Sequence, residues 1–179
     1  YLLRNDAPSP SPSGEGRGEV KFTDISATQL PQQGNIGMVT SALWTDFDND
    51  GDLDCFLTRD SQTPLYYTNN GNGTFTRKDS LAFSFTNGAT YGASAGDYDN
   101  DGDKDVYFLN HPIDFSKSMI IPATVVNGKT VYAQDTNTVY VSGRLFENRG
   151  AKFTDVTKKA GLICHAFGLS ASIADINKD

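Results

Sequence analysis

The stretch DFDNDGDLD at Asp46–Asp54 decides the fold of this chain, because it recurs almost unchanged as DYDNDGDKD at Asp97–Asp105. A third copy begins as DINKD at Asp175–Asp179. Each full copy alternates aspartates with other residues, and a glycine at its sixth position allows a sharp turn. Calcium takes about six to eight oxygen ligands, and alternating carboxylates turned toward one point supply them. The recurrence therefore predicts a repeat protein that binds calcium or a similar hard cation.

The predicted ligands occupy the same positions in both full copies. We expect the first, third, fifth and ninth residues to offer carboxylates, and the seventh to offer its backbone carbonyl with its own carboxylate in solvent. These ligands are Asp46, Asp48, Asp50, Asp52 and Asp54 in the first loop and Asp97, Asp99, Asp101, Asp103 and Asp105 in the second. Phe47 and Tyr98 lie between ligands, and we expect both to anchor their loops in apolar surroundings.

The residues around the loops favour strands over helices. An EF-hand loop closes with a glutamate at its twelfth position, whereas the twelfth residues here are Leu57 and Phe108. Short β-branched or aromatic runs flank both loops, and such runs are typical of strands. Each loop is therefore predicted to join two strands, and the chain is predicted to be all-β.

Charge and hydropathy limit the classes of function. The 179 residues carry a formal net charge of −7, and the two loops hold ten of the 22 acidic residues. No basic stripe is present, so nucleic-acid binding is disfavoured. No stretch approaches the ~20 apolar residues that span a bilayer. Weak all-aspartate sites suit the millimolar calcium outside cells, so we expect a secreted or surface-exposed, extracellular or periplasmic protein.

Catalytic residues are not expected. His111 and His165 lie in no recognisable nucleophile motif, and the neighbours Cys164 and His165 would point to opposite faces of a strand. The chain is therefore predicted not to be an enzyme. Cys55 is interpreted as a small buried core residue. A disulfide between Cys55 and Cys164 stays open, because spacing alone does not establish one.

The organisation of the chain follows from its recurring segments. Residues 1–19 are rich in Pro, Ser and Gly and are predicted to be a flexible linker. KFTDIS at Lys21–Ser26, GTFTRKD at Gly73–Asp79 and KFTDVT at Lys152–Thr157 occupy equivalent places. They predict repeat units of about 22–74, 75–152 and a truncated 153–179. The second unit has an insertion at 110–143, in which VVNGKTVY at Val125–Tyr132 predicts an extra hairpin.

These motifs resemble the FG-GAP/VCBS repeats of integrin-α-like β-propellers, and the chain looks closest to the bacterial proteins similar to cartilage acidic protein, often labelled ASPIC/UnbV. The resemblance spans about residues 20–179. It implies a partial β-propeller of about two and a half blades, each a four-stranded antiparallel sheet with a DxDxDGxxD calcium loop. It also implies a third site opened by Asp175, Asn177 and Asp179. Because two and a half blades cannot close a ring, we expect the 179 residues to be a fragment of a longer chain.

These predictions favour a calcium-stabilised scaffold for adhesion, or for binding an extracellular protein or glycan. In the resembled family, partner contacts usually lie on the face opposite the calcium loops, and the 110–143 insertion is a plausible contributor. The alternatives are a propeller module of a secreted polysaccharide-active enzyme and a lectin. Trp44 and Tyr66–Tyr67 could stack on sugar rings, but we favour packing between blades for them.

Overall fold

The computed structural model describes residues 2–6, 21–30, 35–78, 83, 88–112, 123–132, 143–163 and 168–175. Cys164, His165, Asn177 and Asp179 lie outside these residues, as do most of the predicted linker and more than half of the predicted insertion. Within the described ranges, no helix has the length and hydropathy needed to cross a membrane.

The described residues form twelve strands and one short helix, which confirms the all-β prediction. In chain order the elements are β1 (Leu3–Asn5), β2 (Phe22–Asp24), α1 (Ser26–Gln29), β3 (Val39–Thr45), β4 (Asp54–Arg59), β5 (Gln62–Asn69), β6 (Phe75–Arg77), β7 (Gly88–Gly96), β8 (Asp105–Pro112), β9 (Ala123–Val126), β10 (Lys129–Tyr132), β11 (Arg144–Asn148) and β12 (Phe153–Asp155).

Two four-stranded antiparallel sheets carry the aspartate loops, as predicted. The first sheet has the order β3-β4-β5-β6, and the second has the order β7-β8-β11-β12. In each sheet the aspartate loop joins the first two strands, at one end of the sheet. The extra hairpin predicted in the insertion is present as β9 and β10, which turn at Asn127 and Gly128 with positive φ. The chain leaves the second sheet for this hairpin at Pro112, which pairs with Gly88 at the end opposite the aspartate loop.

The pair β1–β2 repeats the geometry of the last two strands of each four-stranded sheet. The equivalent cross-strand pairs are Asn5–Phe22, Asn69–Phe75 and Asn148–Phe153. Beyond β2, the Ser26 hydroxyl accepts the Leu2 N–H at 2.6 Å, and beyond β12 the Thr157 hydroxyl accepts the Leu145 N–H at 2.9 Å. The predicted equivalence of the KFTDIS, GTFTRKD and KFTDVT segments is thus confirmed in register.

Two boundaries differ from those drawn from the sequence. Strand β1 lies within residues 1–19, so the linker prediction does not hold for Leu3–Asn5. Strands β6 and β12 each end a sheet instead of beginning a repeat unit, so the units 22–74, 75–152 and 153–179 are out of phase with the sheets. A recurring motif fixes the length of a repeat, but it does not determine which strand stands first in each sheet.

An aromatic core joins the two sheets. Its buried members are Phe47, Phe56, Tyr66, Phe83, Val106, Phe108 and Phe146. The Phe153 ring of β12 packs on the rings of Phe47 and Phe56 at centroid distances of 5.7 and 5.4 Å. A second cluster of Cys55, Leu65 and Tyr67 lies apart from this core. The first sheet is therefore fixed against the second by ring packing, which sets its aspartate loop beside that of its neighbour.

Candidate metal centre

The two aspartate loops have the same backbone conformation. In the first loop, the carboxylate oxygens of Asp46 accept the N–H groups of Asp50 and Gly51 at 3.2 and 3.0 Å. The carboxylate of Asp97 accepts the corresponding N–H groups of the second loop at the same two distances. Gly51 and Gly102 have φ of 92° and 95°, in the region that favours glycine. The predicted role of the sixth-position glycine is therefore confirmed in both loops.

Three carboxylates converge in each loop. The sets are Asp46, Asp48 and Asp50 in the first loop and Asp97, Asp99 and Asp105 in the second, with one oxygen from each residue lying within 4.8 Å of the others. In the second loop, one buried carboxylate oxygen, Asp99 Oδ1, has no hydrogen-bond partner. Converging carboxylates with an orphaned oxygen are a donor set for a hard cation. Both clusters can therefore hold a metal ion.

The ninth-position carboxylates anchor the loops to the sheets. Asp54 is fully buried and accepts hydrogen bonds from Phe47 N, the Tyr66 hydroxyl and Asn69 N at 3.2, 2.7 and 2.8 Å. Asp105, also fully buried, accepts hydrogen bonds from the backbone N–H groups of Tyr98 and Asn148 at 2.6 and 2.8 Å. Each loop is thereby tied to the third strand of its own sheet.

Two amide side chains connect the loops to one another. Asn148 is fully buried, and its Nδ2 donates to Phe47 O of the first loop at 2.7 Å and to Lys104 O of the second at 3.1 Å. Asn49 Nδ2 donates to Asp103 Oδ1 at 2.6 Å. These contacts place the two loops side by side across the junction of the sheets.

The seventh-position carboxylates are not both in solvent, contrary to the prediction. Asp103 accepts hydrogen bonds from Asn49 Nδ2 and from Gly150 N, at 2.6 and 2.8 Å. A Cβ at Gly71 would lie 2.9 Å from Asp52 Oδ2, so the neighbouring turn closely approaches that carboxylate as well. The prediction considered each loop alone, whereas the next turn and the next loop lie against these side chains.

Burial and repulsion between carboxylates raise the pKa of two loop residues, Asp48 and Asp105. Burial raises the pKa of Asp48, and the charges of Asp54 and Asp50 raise it further. Burial also raises the pKa of Asp105, although hydrogen bonds from Asn148 and Tyr98 partly oppose the shift. A divalent cation would relieve both the repulsion and the missing solvation.

One cation lies against the second loop. Arg149 Nη2 is 3.2 Å from Asp99 Oδ2, and Nη1 is 3.8 Å from Asp101 Oδ2. Arg149 Nε also pairs with Glu147 Oε1 at 2.7 Å. Glu147, Asp99 and Asp101 all raise the pKa of Arg149, Glu147 most strongly, so it stays charged.

The residues predicted to support the loops divide between buried and exposed positions. Phe47 is fully buried, as predicted, but Tyr98 is 40% exposed, so its anchoring role was predicted wrongly. Phe47 packs against the second sheet through Phe153, whereas the described residues contain no third four-stranded sheet beside Tyr98. Asp175 is described, but Asn177 and Asp179 are not, so the third site stays a prediction.

Most of the described residues that were considered for catalysis or sugar binding are buried. Cys55 is a buried free thiol whose pKa is raised to about 12 by burial and by Asp54. His111 is buried, with Nε2 at hydrogen-bond distance from Gly168 O. Tyr66 is 2% exposed in the core between the two sheets, which confirms the packing predicted for it. Tyr67 is buried in the second cluster, apart from that core. Trp44 keeps 39% exposure and packs edge-on against Phe75.

Comparison with known proteins identifies the repeat. Residues 46–108 match the model of the FG-GAP-like repeat family. This chain contains an FG-GAP-like repeat. The matched region begins at Asp46, the first residue of the first loop, and runs through the second loop into β8. A search among curated proteins found no significant match. The FG-GAP-like repeat and the four-stranded sheets together point to a propeller-type interaction module.

Three residues that contribute to the FG-GAP-like loops were not among the predicted site residues. Asn69 and Asn148 end the third strands and bond to the loops, and Arg149 pairs with loop carboxylates. A sequence signal for the asparagines exists, because NNGNG at Asn69–Gly73 and ENRG at Glu147–Gly150 each place an Asn at that point of the repeat. For Arg149 the first repeat has Asn70, so no repeated signal marks it.

Proposed function

We propose that this chain is a calcium-binding, propeller-type scaffold that acts outside the cell in adhesion or in binding a protein or glycan. The observation that carries the proposal is the pair of matching aspartate loops, each with three converging carboxylates, within an FG-GAP-like repeat. We further infer kinship with bacterial proteins similar to cartilage acidic protein, on the motifs quoted above. Secretion or surface display is inferred because all-aspartate sites suit extracellular calcium.

The donor set supports calcium in preference to softer metals. The converging ligands are all carboxylates, and each loop lacks the thiolate and imidazole donors that zinc and copper favour. Asp46, Asp48 and Asp50 would hold the ion in the first loop, and Asp97, Asp99 and Asp105 in the second. Asp54 and Asp101 complete the carboxylates of the motif, and the carbonyls of Asp52 and Asp103 are further candidate ligands.

The role proposed for the ion is structural. Each loop joins the first two strands of its sheet and is bonded to the third, so an ion held there would fix three strands together. Binding to the folded state alone would stabilise that state according to calcium concentration. Folding of the module would therefore depend on the extracellular ion.

The proposed partner surface lies at the other end of the sheets. The β9–β10 hairpin is inserted after Pro112, at the end of the second sheet opposite its aspartate loop. Its Val125, Val126 and Val131 side chains are 69%, 49% and 45% exposed. Long insertions often carry function, so this hairpin is the proposed contact element.

No catalytic role is proposed. The high pKa of the Cys55 thiol disfavours a thiolate nucleophile, and His111 faces a backbone carbonyl. The rival function is sugar binding, either as a lectin or within a polysaccharide-active protein, and the half-exposed Trp44 favours it. A glycan array with wild type and Trp44→Ala separates the two functions, because sugar binding that depends on Trp44 would support the rival.

Calcium titration tests the metal proposal directly. Isothermal titration calorimetry of the calcium-free protein should detect binding at both loops, and Asp48→Asn and Asp99→Asn should each remove one site. Chelation should lower the melting temperature, and each variant should reproduce part of that loss. An Asp60→Asn variant removes an acidic residue outside the loops and should leave both binding events intact. Identical melting curves with calcium and with chelator would refute a structural metal.

A further inference from the structure

The two loops have matching backbones, but in the part of the chain that the structure describes an arginine lies against the carboxylates of the second loop and not against those of the first. The guanidinium of Arg149 pairs with Asp99 and Asp101, the third and fifth residues of the second loop. Glu147 holds the same guanidinium from the other side, with Nε and Oε1 2.7 Å apart. Within the described part of the chain, no ion pair reaches the carboxylates of the first loop.

The equivalent position in the first repeat is neutral. Asn69 and Asn148 pair with equivalent residues, so the next residues, Asn70 and Arg149, correspond. Asn70 uses its amide within its own turn, where Nδ2 donates to Thr74 Oγ1 at 2.8 Å. By the same register Thr68 takes the place of Glu147. The first loop therefore lacks both the cation and the carboxylate that positions it.

The sets of converging carboxylates differ between the two loops at the fifth residue, which in the second loop pairs with Arg149. In the first loop the fifth residue, Asp50, belongs to the converging set. In the second loop the fifth residue, Asp101, is absent from that set and pairs with Arg149 instead. Arg149 contacts Asp99 Oδ2, whereas Asp99 Oδ1 has no hydrogen-bond partner, so a divalent cation bound to Asp99 Oδ1 would lie close to the guanidinium. A cation that also recruits Asp101 must displace the guanidinium from that carboxylate. Repulsion between the two cations adds to that cost.

We propose that Arg149 is a built-in counter-ion that competes with the divalent cation at the second loop, so that the two loops fill at different calcium concentrations. This inference rests on the proposed function, because it assumes that both loops bind calcium. The first loop has no internal cation and fills first. The second loop has part of its charge balanced by Arg149 without calcium and fills only when calcium is more abundant.

The experiment measures calcium affinity at one loop at a time by isothermal titration calorimetry. Asp48→Asn disables the first loop, so the remaining binding reports on the second. In that background Arg149→Asn should raise the calcium affinity about fivefold, the upper range for breaking an exposed ion pair. Lys104→Leu removes the same charge, and the first repeat has Leu53 at that place. Because no described contact joins Lys104 to the loop carboxylates, Lys104→Leu should change the calcium affinity of the second loop by less than about twofold.

A transplant provides the converse test. Asp99→Asn disables the second loop, and Thr68→Glu with Asn70→Arg then introduces the ion pair beside the first. The affinity of the first loop should fall by a factor similar to the gain in the second. Circular dichroism in chelator checks the fold of each variant. The Arg149 side chain is 64% exposed, so its removal should leave the fold intact.

The outcomes separate the inference from the function on which it rests. An unchanged second-loop affinity in Arg149→Asn, or equal gains from Arg149→Asn and Lys104→Leu, would overturn the role of Arg149 while leaving calcium binding in place. If wild type and both single-loop backgrounds bind no calcium, the proposed function fails, and this inference fails with it. A larger calcium-induced rise in melting temperature for Arg149→Asn, together with its gain in affinity, supports the inference.

Discussion

Replacing Asn148 with alanine should destabilise the protein by about 2–3 kcal/mol, because its amide bridges the two loops from a fully buried position. The two donated bonds, to Phe47 O and Lys104 O, contribute about 1 kcal/mol each, and leaving those carbonyls without a buried donor adds about 1–2 kcal/mol. The Oδ1 of Asn148 has no partner, so removing it returns about 1 kcal/mol. The net loss is a large share of the ~5–15 kcal/mol that typically stabilises a folded domain.

Equilibrium urea unfolding in chelator measures this loss as a lower midpoint with an unchanged slope. Asn69→Ala is the matched control, since Asn69 ends the third strand of the first sheet at the equivalent place. Its side chain donates to Leu53 O at 3.2 Å and accepts the Gly71 N–H at 3.1 Å, and both bonds are exposed to solvent. Because water can replace both bonds, about 1 kcal/mol in total should be lost. If the two variants lost the same free energy of unfolding, the bridge between the loops would contribute nothing, and the reasoning would be refuted.

Three further predictions concern charge, packing and backbone. The pKa of Asp48 is raised in the folded state, so without calcium Asp48→Asn should be more stable than wild type near pH 7. This difference in stability should shrink as the pH falls through the raised pKa toward 3.8, and a difference that grows in acid would contradict the prediction. Phe153→Ala removes the ring that packs on Phe47 and should lower the free energy of unfolding in urea by about 3 kcal/mol. Phe22→Ala, at 56% exposure, should lower it by under about 1 kcal/mol, and equal losses would refute the packing between the sheets. A Cβ added in Gly51→Ala would meet no atom within 4 Å, so thermal melting should show only the backbone cost of the positive φ, about 1–2 kcal/mol. An unchanged stability would contradict that backbone cost.

Local patterns in the sequence were sufficient to predict the strands that flank the aspartate loops, the turn within each loop and the β9–β10 hairpin. The alternating aspartates with glycine at the sixth position gave the correct turn, and the Asn127-Gly128 pair gave the correct hairpin. The strand that begins each sheet could not be predicted in this way, because the recurring motifs have the same spacing whichever strand is counted first. Strand β1 was hidden because only three residues pair across a 16-residue separation from β2.

Contacts between the sheets could not be predicted from one loop at a time. The bond from Asn148 to Phe47 joins residues 101 positions apart, and the bond from Asn49 to Asp103 joins residues 54 apart. Both depend on how the aromatic core aligns the two sheets. The exposure of Tyr98 likewise depends on what lies beside the second sheet, a property that its position within the motif does not encode.

The repeated pairing of the last two strands has a consequence for engineering and for evolution. Residues 6 and 21 are hydrogen-bonded across the end of β1–β2 just as residues 149 and 152 are across the end of β11–β12, although very different numbers of residues intervene. That connection therefore accepts extra sequence without any change of register. Foreign peptides grafted there would leave the pairing of β1 with β2 unchanged. Natural variants can lengthen or shorten this connection in the same way.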